Sequence, residues 1–140
     1  MSIEYRDHIT RQMLCNEPHK LFVFGDNLRR EGYGGQAREM RGEPNAVGIP
    51  TKVAPSMDEN AFFTNQHYNK WLLESLPDWI RLYKFVCDCD GGIVWPKAGI
   101  GTGLAQLSQR APIIATAISG FLTVLQYLSS NPDERQRLKI

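Results

Sequence analysis

Two glycine-rich segments contain the residues that could do chemistry. The first reads Gly25-Asp26-Asn27 and then Gly32-Tyr33-Gly34-Gly35-Gln36-Ala37. Glycines let a backbone approach a ligand closely, and N–H groups turned towards one point favour an anion such as a phosphate. A helix that begins after this segment would add the positive end of its dipole. The alternative is a mobile surface turn, because the segment has neither the dinucleotide-binding nor the Walker pattern.

The second segment is Pro96-Lys97-Ala98-Gly99-Ile100-Gly101-Thr102-Gly103-Leu104. Its alternating glycines, with Thr102 between two of them, offer several backbone donors and one hydroxyl to the same small volume. A third segment, Pro50-Thr51-Lys52, adds a hydroxyl and a cation at the rim of a pocket, or is a solvated turn. The candidate ligand-binding residues are therefore Gly25, Gly32, Gly34, Gly35, Gln36, Ala37, Pro50, Thr51, Lys52, Pro96, Gly99, Ile100, Gly101, Thr102, Gly103 and Leu104.

Short apolar runs precede all three segments and read as strands. They are Leu21–Phe24, Ala46–Ile49, which Pro50 stops, and Gly92–Trp95, which Pro96 ends. In parallel sheets, ligands bind beyond the carboxyl ends of the strands, so the glycine segments would face one ligand that carries two phosphates.

Helical patterns separate these runs. They cover Arg6–Asn16, Gln36–Met40, Thr64–Leu76 with a further turn from Pro77 to Ile80, and Ala111–Leu128, while 83–89 is ambiguous and 129–140 is a polar tail or short helix. Alternating strands and helices predict an α/β fold, a three-layer α/β/α sandwich with a mostly parallel central sheet.

The stretch from Ala111 to Leu128 has no charged residue and is long enough to raise the question of a membrane span. Its polar residues fall on one side at helical spacing, and the apolar residues Ile114, Ile118, Phe121, Leu125 and Leu128 fall on the other. This pattern predicts a core helix and no membrane partner.

The composition restricts the remaining classes. A chain of 140 residues predicts a single domain over 1–140, and a net charge of +1 disfavours strong nonspecific nucleic-acid binding. Three cysteines favour a reducing, cytoplasmic compartment, and the close spacing of Cys87 and Cys89 is not that of a zinc site. We therefore expect no metal and no cofactor, and the oligomeric state is not predicted.

The segments FVFGDNLRREGYGGQA, EPNAVGIPTK and IVWPKAGIGTGL resemble the macrodomain superfamily, and more closely its small macro-like proteins of bacteria and phages. The resemblance implies a compact macrodomain-like sandwich that binds ADP-ribose, in the host cytoplasm if the chain is phage-encoded. It implies that Asn27 orients the distal ribose, that 34–36 surround that ribose and the diphosphate, and that 101–104 form the second diphosphate loop.

The same resemblance leaves two activities open, which are binding of ADP-ribose or a related nucleotide diphosphate, and its hydrolysis from an ADP-ribosylated substrate. Hydrolysis would use Asn27 and Asp26 as catalytic residues, and Asp26 either activates a water or only accepts a hydroxyl hydrogen bond. The alternatives are a non-catalytic module that sequesters a nucleotide signal and a Rossmann-like nucleotide-processing enzyme. The family's early Gly-Asp for adenine is missing, which leaves Asp7, Glu17, Tyr33, Phe62 and Tyr68 as candidates.

Overall fold

Four parallel strands form the sheet in the computed structural model, which describes residues 3–89 and 91–138. They are β1 (Ile3–Arg6), β2 (Leu21–Asn27), β3 (Ala46–Lys52) and β4 (Ile93–Pro96), in the spatial order β1-β4-β2-β3. The predicted α/β fold with a parallel sheet is confirmed. The outermost residues of the predicted domain, 1–2 and 139–140, lie outside the described residues, as does residue 90.

Helices cover both faces of this sheet. They are α1 (Arg11–Asn16), α2 (Ala37–Met40), α3 (Tyr68–Asp88), α4 (Leu107–Arg110), α5 (Pro112–Ser130) and α6 (Pro132–Leu138), with 3₁₀ turns at Glu59–Ala61 and Asn65–His67. Leu14 of α1 and Met40 of α2 pack with Phe22 on one face. Trp71 of α3 and Ile114 of α5 pack with alternate residues of β2 on the other, which gives three layers.

Two strands are longer than predicted. Pro50 does not stop β3, which continues to Lys52, because β3 is an edge strand that pairs only with β2. A proline without an N–H is tolerated at an edge, where one side of the strand needs no partner. Strand β2 continues through Asp26 and Asn27, so these two candidate catalytic residues end a strand and do not belong to a free loop.

The prediction missed β1 and divided α3. Arg6, which was predicted to begin a helix, is the last residue of β1. Helix α1 begins at Arg11, and the side chain of Thr10 before it accepts a hydrogen bond from the Met13 N–H. Helix α3 runs through Pro77 and through the ambiguous 83–89 as far as Asp88. An interior proline costs a helix about 3 kcal/mol, and the buried row Trp71, Trp79, Leu82 and Val86 offsets this cost.

Helix α5 buries four of the five predicted core residues, and the fifth, Phe121, is half-buried. Among the described helices it alone has the length and apolar composition that crossing a membrane requires. The polar tail contains α6, which follows Asn131 directly.

Candidate functional site

A cavity of about 480 Å³ lies at the carboxyl ends of β2, β3 and β4. Strand β2 pairs with both neighbours, so the segments that follow the three strands meet at one edge of the sheet. Asp26 and Asn27 line the cavity together with most of the predicted ligand-binding residues, namely Gly25, Gly32, Gly34, Gly35, Gln36, Ala37, Thr51, Lys52, Gly99, Gly101, Thr102, Gly103 and Leu104.

Three predicted residues do not reach the cavity, because each is buried beneath a segment that does. The Pro50 carbonyl accepts a hydrogen bond of 2.9 Å from the Trp71 indole, and the Pro96 carbonyl accepts one of 2.9 Å from the Gly99 N–H. Ile100 packs into the core on the α3 and α5 side. These residues support the site from below and, contrary to the expectation for Pro50, Pro96 and Ile100, do not line the cavity.

The second glycine segment lies directly against the end of β2. Gly101 has a φ of 74°, and a Cβ there would lie 2.9 Å from Leu107 Cδ2, so only glycine fits without strain. A Cβ at Gly25 would lie 3.5 Å from the Gly101 nitrogen, which shows how closely the two segments approach. Within 3–89 and 91–138, the N–H groups of residues 101–104 have no backbone acceptor.

Two side chains join the first glycine segment to β2, Arg41, which donates to the Gly32 carbonyl and to Asp26, and Gln36. Gln36 Oε1 accepts a hydrogen bond of 3.1 Å from the Gly25 N–H. The N–H groups of residues 33–36 likewise have no backbone acceptor in the described part of the chain. The predicted helix dipole contributes little, because α2 has only four residues. Any anion at this segment is therefore bound by individual backbone donors.

Asp26 is held by Arg41 beneath the first segment. Arg41 Nη2 donates to Asp26 Oδ1 at 2.5 Å and Nη1 donates to Oδ2 at 3.2 Å, while Oδ1 also accepts from the Asn27 N–H at 2.8 Å. The Asp26 side chain is 3% exposed. Oδ1 thus has both lone pairs engaged, and at most Oδ2 is open to a water or a hydroxyl. Gly48 permits this placement, because a Cβ there would lie 2.5 Å from Oδ2.

Asn27 shapes the chain between the strand and the glycines. Its Oδ1 accepts a hydrogen bond of 3.0 Å from the Arg29 N–H, and its Nδ2 donates to the Glu31 carbonyl at 2.8 Å. Each group has one further hydrogen bond to offer, since an amide carries two donors and two acceptor sites. Asn27 therefore builds the loop and can still contact a ligand.

The hydroxyl and the ammonium predicted at the rim both bind the protein's own backbone. Thr51 Oγ1 donates to the Asp26 carbonyl at 3.2 Å. Lys52 Nζ donates to the Ser56 carbonyl and lies 4.6 Å from the centre of the Phe62 ring. Burial, assisted by the charge of Arg110, lowers the pKa of Lys52 from its usual value. Both side chains nevertheless line the cavity.

Sequence reasoning missed six lining residues, which are Glu31, Arg41, Pro55, Met57, Ala98 and Ala105. No spacing rule indicates Arg41, since its position depends on how α2 packs on the sheet. Tyr33 alone of the adenine candidates lines the cavity. Asp7 lies near Lys97, Glu17 pairs with Arg6, and Phe62 and Tyr68 pack among other aromatic and cationic side chains.

Comparisons with known proteins give one match. A family model described as "Family of unknown function (DUF7831)" matches residues 4–121, which include all three candidate segments. No curated protein and no solved structure matches the chain. Among residues 3–89 and 91–138, no group of three or more His, Cys, Asp or Glu side chains could hold a metal ion.

Proposed function

The chain belongs to this family of unknown function, and from the geometry of its cavity we propose that it binds ADP-ribose or a related nucleoside diphosphate. The resemblance of its three segments to macro-like proteins supports the same ligand. A cytoplasmic site of action, the host cytoplasm if the chain is phage-encoded, belongs to this proposal.

One observation carries the proposal. Two glycine segments with backbone N–H groups that lack a backbone acceptor, in the described ranges, line the same cavity. Clusters of such N–H groups bind phosphate without a net positive charge. The charged side chains of the lining agree with this, because the carboxylates of Asp26 and Glu31 balance the cations of Arg41 and Lys52. The volume also lies within the range of roughly 300–1,000 Å³ for small-molecule sites.

Exposed side chains at the mouth of the cavity favour a nucleotide over inorganic diphosphate as the ligand. Tyr33 and Leu104 are each 67% exposed, and Met57 is exposed beside them. Exposed aromatic and apolar side chains at a polar cavity are suited to stacking on a planar base. We therefore place the base against Tyr33 and the diphosphate between the glycine segments.

Calorimetric titration with ADP-ribose, AMP and NAD tests the proposal. We expect saturable binding of ADP-ribose that is tighter than binding of AMP. Tyr33→Ala should weaken it about tenfold, because stacking of a base on an aromatic ring contributes about 1–3 kcal/mol. Leu138→Ala, which removes an exposed apolar side chain of α6 outside the cavity, should leave it unchanged. Failure to bind all three compounds would remove the proposal.

Hydrolysis of an ADP-ribosylated substrate is a second candidate, favoured by the presence of Asn27 and Asp26 in the same lining. It requires a water held at the anomeric carbon of the distal ribose. Release of free ADP-ribose from a modified protein or nucleic acid, followed by chromatography, tests it. A protein that binds ADP-ribose and releases none from any linkage is a binding module.

A further inference from the structure

Helices α3 and α5 expose a shared apolar surface whose residues do not line the cavity. The Trp79 ring of α3 stacks on the Phe121 ring of α5 with 4.4 Å between the ring centres, and the Tyr83 hydroxyl donates a hydrogen bond to the Phe121 carbonyl. Seven exposed residues and the half-buried Ala117 border this seam at helical spacing. We call them the α3–α5 face: Leu73, Leu76 and Ile80 from α3, and Ile113, Ala117, Gly120, Val124 and Tyr127 from α5.

The eight residues of the α3–α5 face are uncharged, and α5 contributes most of them. No Asp, Glu, Lys or Arg occurs in α5, and on α3 the stripe of Leu73, Leu76 and Ile80 is continued by the exposed Lys84 only at the C-terminal end of the helix. Charged residues make up 22% of the chain, so the uncharged length of α5 is a marked local difference. Soluble monomers rarely expose contiguous apolar patches of more than a few hundred Å². The face therefore has the character of an interface.

Gly120 is a second and independent observation. It lies in the middle of α5, where glycine destabilises a helix relative to alanine. A Cβ at this position would meet no atom within 4 Å, so nothing in the described part of the chain requires a glycine. Close approach of a backbone from another molecule would require one.

We propose that the α3–α5 face binds a second copy of this chain. The α5 residues of the face recur at intervals of four, three, four and three, the spacing of a helix that packs along another helix. Their sizes are nearly symmetric about Gly120, with Ala117 and Val124 beside it and Ile113 and Tyr127 at the ends. Two antiparallel copies of α5 that cross at Gly120 would pair each Ile113 with Tyr127 of the other copy, as a twofold interface demands.

The size of the face agrees with a dimer. Helix α5 has 19 residues, hence a length of about 28 Å at 1.5 Å per residue. Two adjacent helices about 20 Å wide then present roughly 600 Å² of projected surface, near the ~800 Å² per partner of standard interfaces.

A membrane is the competing occupant, because α5 is long and apolar enough to cross one. Helices that lie on membranes usually carry Lys and Arg on their polar side. The polar side of α5 consists of Thr116, Ser119, Thr123 and Gln126 and has no cation. A second copy, whose α5 is equally uncharged, is the occupant that fits this face.

Analytical ultracentrifugation of the full chain at micromolar concentrations tests the proposal. We expect twice the 15.9 kDa chain mass. Val124→Glu should halve that mass because it would bury a charge in the interface. Gly120→Leu should do the same because its side chain would fill the point at which the two copies of α5 cross. Ser119→Glu, on the exposed polar side of α5, should remain dimeric. Circular dichroism should show that all three variants fold.

A monomeric wild-type chain at every concentration would overturn the proposal, and so would dimers that survive both substitutions. Flotation of a monomeric wild-type chain with phosphatidylcholine–phosphatidylglycerol vesicles would assign the face to a membrane instead. No residue of the face lines the cavity, so ADP-ribose binding and dimerisation succeed or fail separately.

Discussion

Asp26 and Arg41, which both line the cavity, form a buried ion pair with each other. The Asp26 side chain is almost fully buried, and the Arg41 side chain is 15% exposed. Removing one member of a buried pair leaves the other charge uncompensated, which typically costs 3–5 kcal/mol. The pair therefore gives Asp26 a structural task whether or not it also contacts the distal ribose.

We expect Asp26→Asn to lower the free energy of unfolding by about 3 kcal/mol in urea titrations, because Arg41 then loses its carboxylate. Glu59→Gln is the matched control, since it removes an Arg–carboxylate ion pair of 2.9 Å, with Arg110, in which the Glu59 side chain is exposed. The control should change stability little. Equal effects of the two substitutions would contradict the structural role of Asp26.

The hydrogen bonds of Asn27 within its loop change the result that we expect from substituting it. If Asn27 had only the catalytic role that the resemblance implies, loss of its side chain should abolish turnover and spare affinity. Because its amide joins Arg29 and Glu31, we expect Asn27→Ala to weaken ADP-ribose binding about tenfold, equivalent to about 1.4 kcal/mol. Asn60→Ala, exposed and outside the cavity lining, is the control for calorimetry. Unchanged affinity with lost turnover would instead make Asn27 a purely catalytic residue.

Among the elements, the strands buried on both faces and the core helix α5 were predictable, whereas β1 was not. Continuous apolar runs identify β2 and β4, and the glycine segments after them identify the edge at which the cavity lies. Strand β1 escaped detection because Glu4 and Arg6 are charged, and both are satisfied by ion pairs with distant residues. Such contacts depend on tertiary packing, as does the position of Arg41, and periodicity does not reveal them.

The second glycine segment gives a prediction about backbone conformation. Gly101→Ala places a Cβ against Leu107 in a left-handed backbone, so we expect loss of stability of about 1–2 kcal/mol and weaker ADP-ribose binding. Gly103→Ala is the matched control, because a Cβ there meets nothing within 4 Å and its φ is not positive. Thermal unfolding of the two variants should separate them. Equal melting temperatures would contradict the conformation of this segment.

For the whole molecule, a half-buried charge cluster joins β1 to the chain before β2. Arg6 donates to both oxygens of Glu17, and Lys20 contacts Glu4 and Glu17. Hydrogen bonds from Arg6, and then from Lys20, lower the pKa of Glu17 to about 2. A carboxyl with a lowered pKa stabilises the fold above its usual pKa and loses that contribution as the pH falls towards the lowered value.

We therefore expect the stability difference between the wild type and Glu17→Gln to be largest near neutral pH. This difference should shrink as the pH falls from about 5 to about 2, because Glu17 then becomes protonated in the folded as well as in the unfolded protein. Thermal melts across this range measure it, with Glu74→Gln as a control for an exposed carboxyl on α3. A difference that grows towards acid pH would contradict the cluster.

The near-neutral chain agrees with a ligand bound by backbone donors, and the location of binding tests that account most directly. The measurement is a titration of ¹⁵N-labelled protein with ADP-ribose, followed by amide NMR spectra. We predict that the largest shifts occur at the amides of residues 33–36 and 101–104, with small shifts in α3 and α5. Saturable binding that leaves both glycine segments unperturbed, or no binding, would contradict the account.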